Sequence, residues 1–152
     1  NLVIGVGVSL VLLALMVLSG RPISARTGLL WGAAAFVAAS LLPSLGLPPE
    51  LPGTPAADIL QRQVWWLGTA AASGLGLALI AFGGSWVAAV AGLAIIVAPH
   101  VIGAPPPPSH DVSYPGALAG EFVIASLVVS AILWSLSGAA VGWLYQRLAR
   151  EG

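Results

Sequence analysis

Residues 122–145 read FVIASLVVSAILWSLSGAAVGWLY, and no charged side chain interrupts them. A bilayer hydrocarbon core of about 30 Å is crossed by roughly 20 helical residues, each rising about 1.5 Å. The run therefore predicts a transmembrane helix, with Glu121 just before it and Arg147 just after. Further apolar runs lie outward from it at 2–18, about 29–42, 64–82 and from 85 to at least 98, and they extend to spans of about 2–18, 26–42, 64–82 and 85–102. The second begins near Ser24 or Arg26 and stops near Pro43, because a residue that precedes proline is pushed out of helical geometry. The fourth passes through Pro99 to Ile102 with a kink. Proline has no N–H for the carbonyl of Ile95, which must then find another partner. The chain thus reads as an all-α, polytopic transmembrane bundle, a single integral-membrane domain over 1–152. Its five spans are joined by short loops and by two proline-rich loops, 43–57 and 99–120.

Composition points the same way. Of 152 residues, 59% are apolar and only 7% are charged, against about 25% charged in a soluble domain. So few charges cannot cover a water-facing surface, and the lipid bilayer is the expected surroundings. Net charge is zero, which leaves no electrostatic footprint for nucleic acid. Absence of lysine excludes a Walker A loop and a Schiff-base lysine. Absence of cysteine excludes disulfides, thiol nucleophiles and thiolate metal sites.

The arginines orient the bundle. Arg21 and Arg26 lie between the first and second runs, and Arg147 and Arg150 follow the fifth, so four of the five arginines share one side. The positive-inside rule places that side, and the C-terminus, in the cytoplasm of a bacterial inner membrane. The proline-rich loops then face outward. Trp31, Trp65, Trp66, Trp86, Trp143 and Tyr145 fall at the expected helix ends, as an interfacial aromatic belt requires. Asn1 is followed at once by membrane-grade sequence, without an initiator methionine, which predicts a longer chain upstream.

Small residues mark where helices can approach. Gly68, Ala72 and Gly76 form a four-residue ladder, and Ser126, Ser130, Gly138 and Gly142 follow one stripe of the fifth run. Close backbone packing is the plain reading of both.

Groups able to do chemistry are few. Glu50, Asp58, His100, His110, Asp111 and Glu121 all fall on the outer side, while Glu151 is the one acid inside. Imidazole and carboxylate suit divalent cobalt, nickel or zinc, so the outer face is where a cation would be handled. His100 follows Pro99, where an imidazole meets carbonyls freed by the kink, or merely complements the helix C-terminus. His110 and Asp111 are adjacent in a loop, as a shared ligand set or a solvated pair. Glu50 sits in Pro48-Pro49-Glu50-Leu51-Pro52-Gly53, a stiff polyproline-like segment that fixes one carboxylate in place. Asp58 and Glu121 precede helices and complement their N-terminal dipoles; Asp58 and Arg62 also form an i, i+4 pair. No catalytic constellation emerges. Ser126, Ser130 and Ser135 lack a Gly-x-Ser-Gly setting, and the two histidines do not have the i, i+4 spacing of a zinc-protease helix. A non-enzyme is expected, with no resident cofactor.

Four ordered blocks carry a family resemblance: Gly28-Leu29-Leu30-Trp31-Gly32, Gly46-Leu47-Pro48-Pro49-Glu50-Leu51-Pro52-Gly53, Trp65-Trp66-Leu67-Gly68-Thr69 and Pro99-His100-Val101-Ile102-Gly103-Ala104-Pro105. Together with Trp134 and Gly142-Trp143-Leu144-Tyr145, the chain resembles the predicted cobalt transporter subunit family CbtA. The resemblance implies a polytopic subunit of a cobalt uptake system tied to cobalamin synthesis. It also implies a small one-span partner with a histidine-rich end, and it puts Glu50 and His100 within the family's motifs. The family's N-terminal helix and the polar loop after it are missing here.

Two functional readings follow. In one, Glu50 and His100, with His110 and Asp111, collect a cobalt ion at the outer mouth of a transport subunit. In the other, the chain is an accessory structural subunit packed against a larger membrane complex. No acid, histidine or arginine lies mid-span, which favours the second, because transport paths usually leave such groups inside the bilayer.

Overall fold

The computed structural model describes residues 2–151, with side chains from Gly5 onward. Asn1, upstream of which the sequence reading expects more chain, lies outside the described residues. All regular structure among them is helical. Helix α1 covers Leu2–Leu18. Helix α2 runs over Ala25–Ser44, α-helical to Phe36, then π-helical at Val37–Leu41, then closing with Leu42–Ser44. Helices α3, Ile59–Phe82, α4, Trp86–Ile102, and α5, Gly116–Glu151, complete the order. By length and composition α2, α3 and α5 can each cross a membrane, while α1 and α4 are shorter apolar helices.

Helix starts follow from local capping chemistry. At the start of α2, Ser24 and Thr27 cap one another: Thr27 N–H donates to Ser24 Oγ at 3.2 Å and Ser24 N–H to Thr27 Oγ1 at 2.8 Å. This is the reciprocal logic of a capping box, with Thr in the place of Glu. Asp58 Oδ1 accepts from the N–H groups of Leu60 and Gln61, so α3 starts five residues before the apolar run at 64. Ser85 Oγ accepts from Ala88 N–H to start α4. Between α3 and α4 the chain reverses at Gly83–Gly84, where Gly84 takes φ 65°, a region open to glycine at little cost. Helix α5 extends past 122–145 at both ends, through Gly116–Gly120 and Glu121 before it and through the more polar 146–151 after it, so Glu121 lies within the helix and does not precede it.

Two compact units are formed. The first contains residues 1–36 and 129–152. Here Leu12 and Met16 of α1 are fully buried. The N-terminal part of α2 lies against α5 through glycine: a Cβ built on Gly28 would strike the carbonyl oxygen of Gly138, and one on Gly138 would strike that of Gly28. Gly32 meets the Trp134 carbonyl in the same way, and Gly142 that of Ser24. These pairings run antiparallel, so Arg26 and Arg147 fall at one end of this unit. There Arg147 Nε lies 3.1 Å from Glu151 Oε1 and its guanidinium sits 5.6 Å from the Trp143 ring centre.

The second unit contains residues 37–128. Helices α3 and α4 cross at Gly76 and Gly92, where a Cβ on either would come within 2.5 Å of the other's carbonyl oxygen. Ile96 packs beside them and is buried. The buried positions of α3 are Thr69, Ser73 and Gly76. That face is turned by one residue from the Gly68, Ala72, Gly76 ladder: Gly68 is exposed, with open space where a Cβ would stand. On α5, Ser126 and Ser130 are half-buried, whereas Gly138 and Gly142 are buried.

Helix α2 changes pitch for a local reason. Pro43 is buried, and without an N–H it cannot serve the carbonyl of Ala39 four residues earlier. In the π segment that carbonyl instead accepts from Trp66 Nε1 at 3.1 Å. An apolar surrounding makes such a replacement necessary, since a free carbonyl there costs several kcal/mol by order of magnitude. Large apolar side chains mostly point away from the helix contacts, with Leu67, Val90, Ile124 and Val129 all exposed. Small residues inside and large apolar residues outside is the arrangement a bundle in lipid adopts.

Candidate functional site

The proline-rich loops of the second unit meet around a cavity of about 290 Å³. The segment 46–51 supplies one wall, including Pro48, Pro49 and Glu50, and Pro105, Pro107, Ser109, His110 and Tyr114 supply another. Arg62, from the first turn of α3, completes the polar lining. Proline restricts the backbone to a narrow φ range, so both walls are stiff without regular structure. The loops are also tied together, since the hydroxyls of Thr54 and Tyr114 share a hydrogen bond and Thr54 Oγ1 also donates to the Leu51 carbonyl at 2.6 Å.

Arg62 Nη2 donates to Glu50 Oε2 at 2.8 Å, and the two side chains remain 30% and 25% exposed. The partner differs from the i, i+4 pairing with Asp58 that spacing alone suggests. Asp58 is occupied as the N-cap of α3, and the 48–53 segment carries Glu50 back over the first turn. An ion pair of this exposure is worth little to stability, at most about 1 kcal/mol. Its side chains stay reachable from the cavity.

The four residues expected to hold a metal are only partly brought together. Glu50 and His110 line the same cavity although they come from different loops. His100 and Asp111 are not among its lining residues. His100, in the last turn of α4, packs edge-on against Trp65, with ring centres 5.8 Å apart and planes at 74°. His100 Nε2 and Trp65 Nε1 are both buried and have no hydrogen-bond partner among the described residues. Trp65 in turn fills the space beside Gly46, whose backbone lines the cavity. Asp111 is exposed. Among the described residues no group of three or more His, Cys, Asp or Glu side chains stands close enough to hold a metal ion. Arg62 and Tyr114 belong to the cavity but carry no motif in the sequence, and only the fold shows them there.

A family model described as a probable cobalt transporter subunit (CbtA) matches residues 1–146. No curated protein and no solved structure matches the chain.

Proposed function

The chain belongs to the CbtA family of probable cobalt transporter subunits, and from that premise we propose that its loop cavity receives the cobalt cargo at the outer membrane face. The observation that carries this reading is the convergence of Glu50 and His110, from two separate proline-rich loops, on one cavity. Carboxylate oxygen and imidazole nitrogen are donors that suit divalent cobalt. In this reading the arginine-rich end of the first unit faces the cytoplasm of a bacterial inner membrane. His100, buried behind Trp65 outside the cavity lining, and the exposed Asp111, next to His110 in the chain, are the remaining candidate donors. No nucleotide-binding motif is present, so the driving energy comes from a gradient or from another subunit. A one-span, histidine-rich protein of a cobalamin-related uptake system fits the place of a partner subunit.

The test is labelled-cobalt uptake by cells expressing the protein with Glu50→Gln, His110→Ala or His100→Ala, at equal membrane levels. Glu50→Gln and His110→Ala are expected to reduce uptake by about tenfold or more, the usual cost of removing a metal-site group. Unchanged uptake in both would end the assignment.

A second reading is favoured by one observation, the lack of a three-ligand cluster among the described residues. In it the chain is a structural subunit whose exposed apolar faces pack against a larger membrane complex. Purification in mild detergent followed by mass spectrometry separates the two. Stoichiometric recovery with a respiratory or photosynthetic assembly supports the structural role, and recovery with a small histidine-rich span supports transport.

A further inference from the structure

A bare transition-metal dication is held by roughly four to six inner-shell donors. Around the loop cavity no three His, Cys, Asp or Glu side chains stand close enough to hold a metal ion, among the described residues. The carboxylate on the wall, Glu50, is already paired with Arg62 at 2.8 Å. Together Glu50 and Arg62 sum to zero formal charge. A free dication gains little from such a wall, because the tethered guanidinium repels it over the same few ångströms that the carboxylate attracts it.

Size is compatible with a complexed metal. A water molecule occupies about 30 Å³ of liquid, so a metal with six water-sized ligands fills on the order of 200 Å³. The cavity holds about 290 Å³. That leaves room for an ion together with its ligands, whether these are water or small organic groups, so the choice between them rests on the charge of the wall. We infer that the cavity takes the metal as a chelate of near-zero net charge, its ligands being small amino-carboxylates of the amino-acid class. The inference rests on the proposal that this cavity receives the cargo.

Both members of the ion pair then have a task. Arg62 presents N–H donors to a carboxylate oxygen of the chelator, a charge-assisted contact. Glu50 accepts from the chelator's metal-bound amine N–H groups, so the pair exchanges its mutual contact for two contacts with the ligand. The proline walls supply rigid apolar surface to the chelate's carbon atoms. No bond to the metal forms or breaks in this step, so recognition does not depend on ligand exchange.

Substitution-inert complexes test this directly. The chain in lipid nanodiscs is dialysed to equilibrium against uncharged tris(glycinato)cobalt(III), against hexaamminecobalt(III), which imitates a hydrated ion through outer contacts alone, or against aqueous Co²⁺. Retained cobalt is measured by atomic absorption. The uncharged chelate is expected to be held at least about tenfold more tightly than the hexaammine, the order set by one or two charge-assisted hydrogen bonds. Arg62→Gln is expected to lower its retention about tenfold, and Arg62→Lys, which keeps the charge, to preserve most of it. Tighter retention of the hexaammine or of Co²⁺, or chelate retention unchanged in Arg62→Gln, would overturn the inference. Retention of Co²⁺ that falls in Glu50→Gln, with the chelate excluded, leaves the cavity as the uptake site and removes only the chelate. Cobalt retention in every form that ignores both Glu50→Gln and Arg62→Gln removes the cavity itself.

Discussion

The indole Nε1 of Trp66 donates to the carbonyl oxygen of Ala39 across 3.1 Å, joining α3 to the π segment of α2. Pro43 denies that carbonyl its ordinary helical donor, so the bond repairs a defect that the proline creates. Trp66→Phe keeps an aromatic ring, smaller than indole, and removes the donor. It is expected to lower stability by about 1 kcal/mol, the typical net value of one hydrogen bond, and to speed amide exchange over 39–44 relative to α4. Unchanged exchange in that segment would show that the indole does not hold the π turn.

Gly28 and Gly138 leave no room for a methyl group on either side, and neither do Gly76 and Gly92. Alanine at Gly28, Gly138 or Gly76 meets backbone rather than a yielding side chain, so the helices must separate. Each substitution is expected to cost about 1–3 kcal/mol in denaturant unfolding from detergent micelles. Gly68→Ala provides the contrast. Its site is open, and loss of glycine's extra chain freedom should leave stability unchanged or raised by up to about 1 kcal/mol. Equal losses at Gly68 and Gly76 would contradict the placement of the α3 contact face.

Ser73 is fully buried and its Oγ has no hydrogen-bond partner among the described residues. An unsatisfied hydroxyl in an apolar site opposes folding, so Ser73→Ala should be neutral or stabilising by up to about 1 kcal/mol. Thermal unfolding in detergent checks this. A clear drop in midpoint would mean that the hydroxyl is engaged, for instance by a bound water.

Because the Glu50–Arg62 pair is partly exposed, Glu50→Gln and Arg62→Gln should each shift stability by no more than about 1 kcal/mol. Uptake losses in these variants can then be read as loss of cargo handling. Unfolding curves measured on the same preparations as uptake make the comparison, and a large stability loss would reassign the pair to folding.

Much of the architecture was legible because the bilayer imposes it. An unbroken uncharged run such as 122–145 has few alternatives to a helix, and Pro43, the Gly83–Gly84 pair and Ser24 lie at or beside helix ends. Asp58 marked the early start of α3, whereas the turns that lengthen α5 beyond 122–145 were not legible, since hydropathy ends where helical hydrogen bonding does not. Contact faces were half legible. The Gly68, Ala72, Gly76 spacing marks a helix that packs closely, yet Thr69 and Ser73 take the buried side, because β-side volume and the partner's shape set the rotation. The cavity was the least legible part. Glu50 stood out within its polyproline segment, but its bond to Arg62 depends on how the loop returns to α3. His100 and His110 looked alike in sequence, and tertiary placement sends one against Trp65 and the other to the cavity wall.

The glycine contact between α2 and α5 also has a temporal side. Gly28 leaves the ribosome early and Gly138 late, separated by about 110 residues, or roughly 5–20 s of synthesis at ordinary rates. Throughout that interval the groove on α2 has no α5 to close it and must be filled by lipid. All of the second unit's sequence is made before its counterpart arrives. The first unit is therefore the last to close, and a ribosome stalled anywhere before α5 would leave α1 and α2 as an unsealed pair available to membrane quality control.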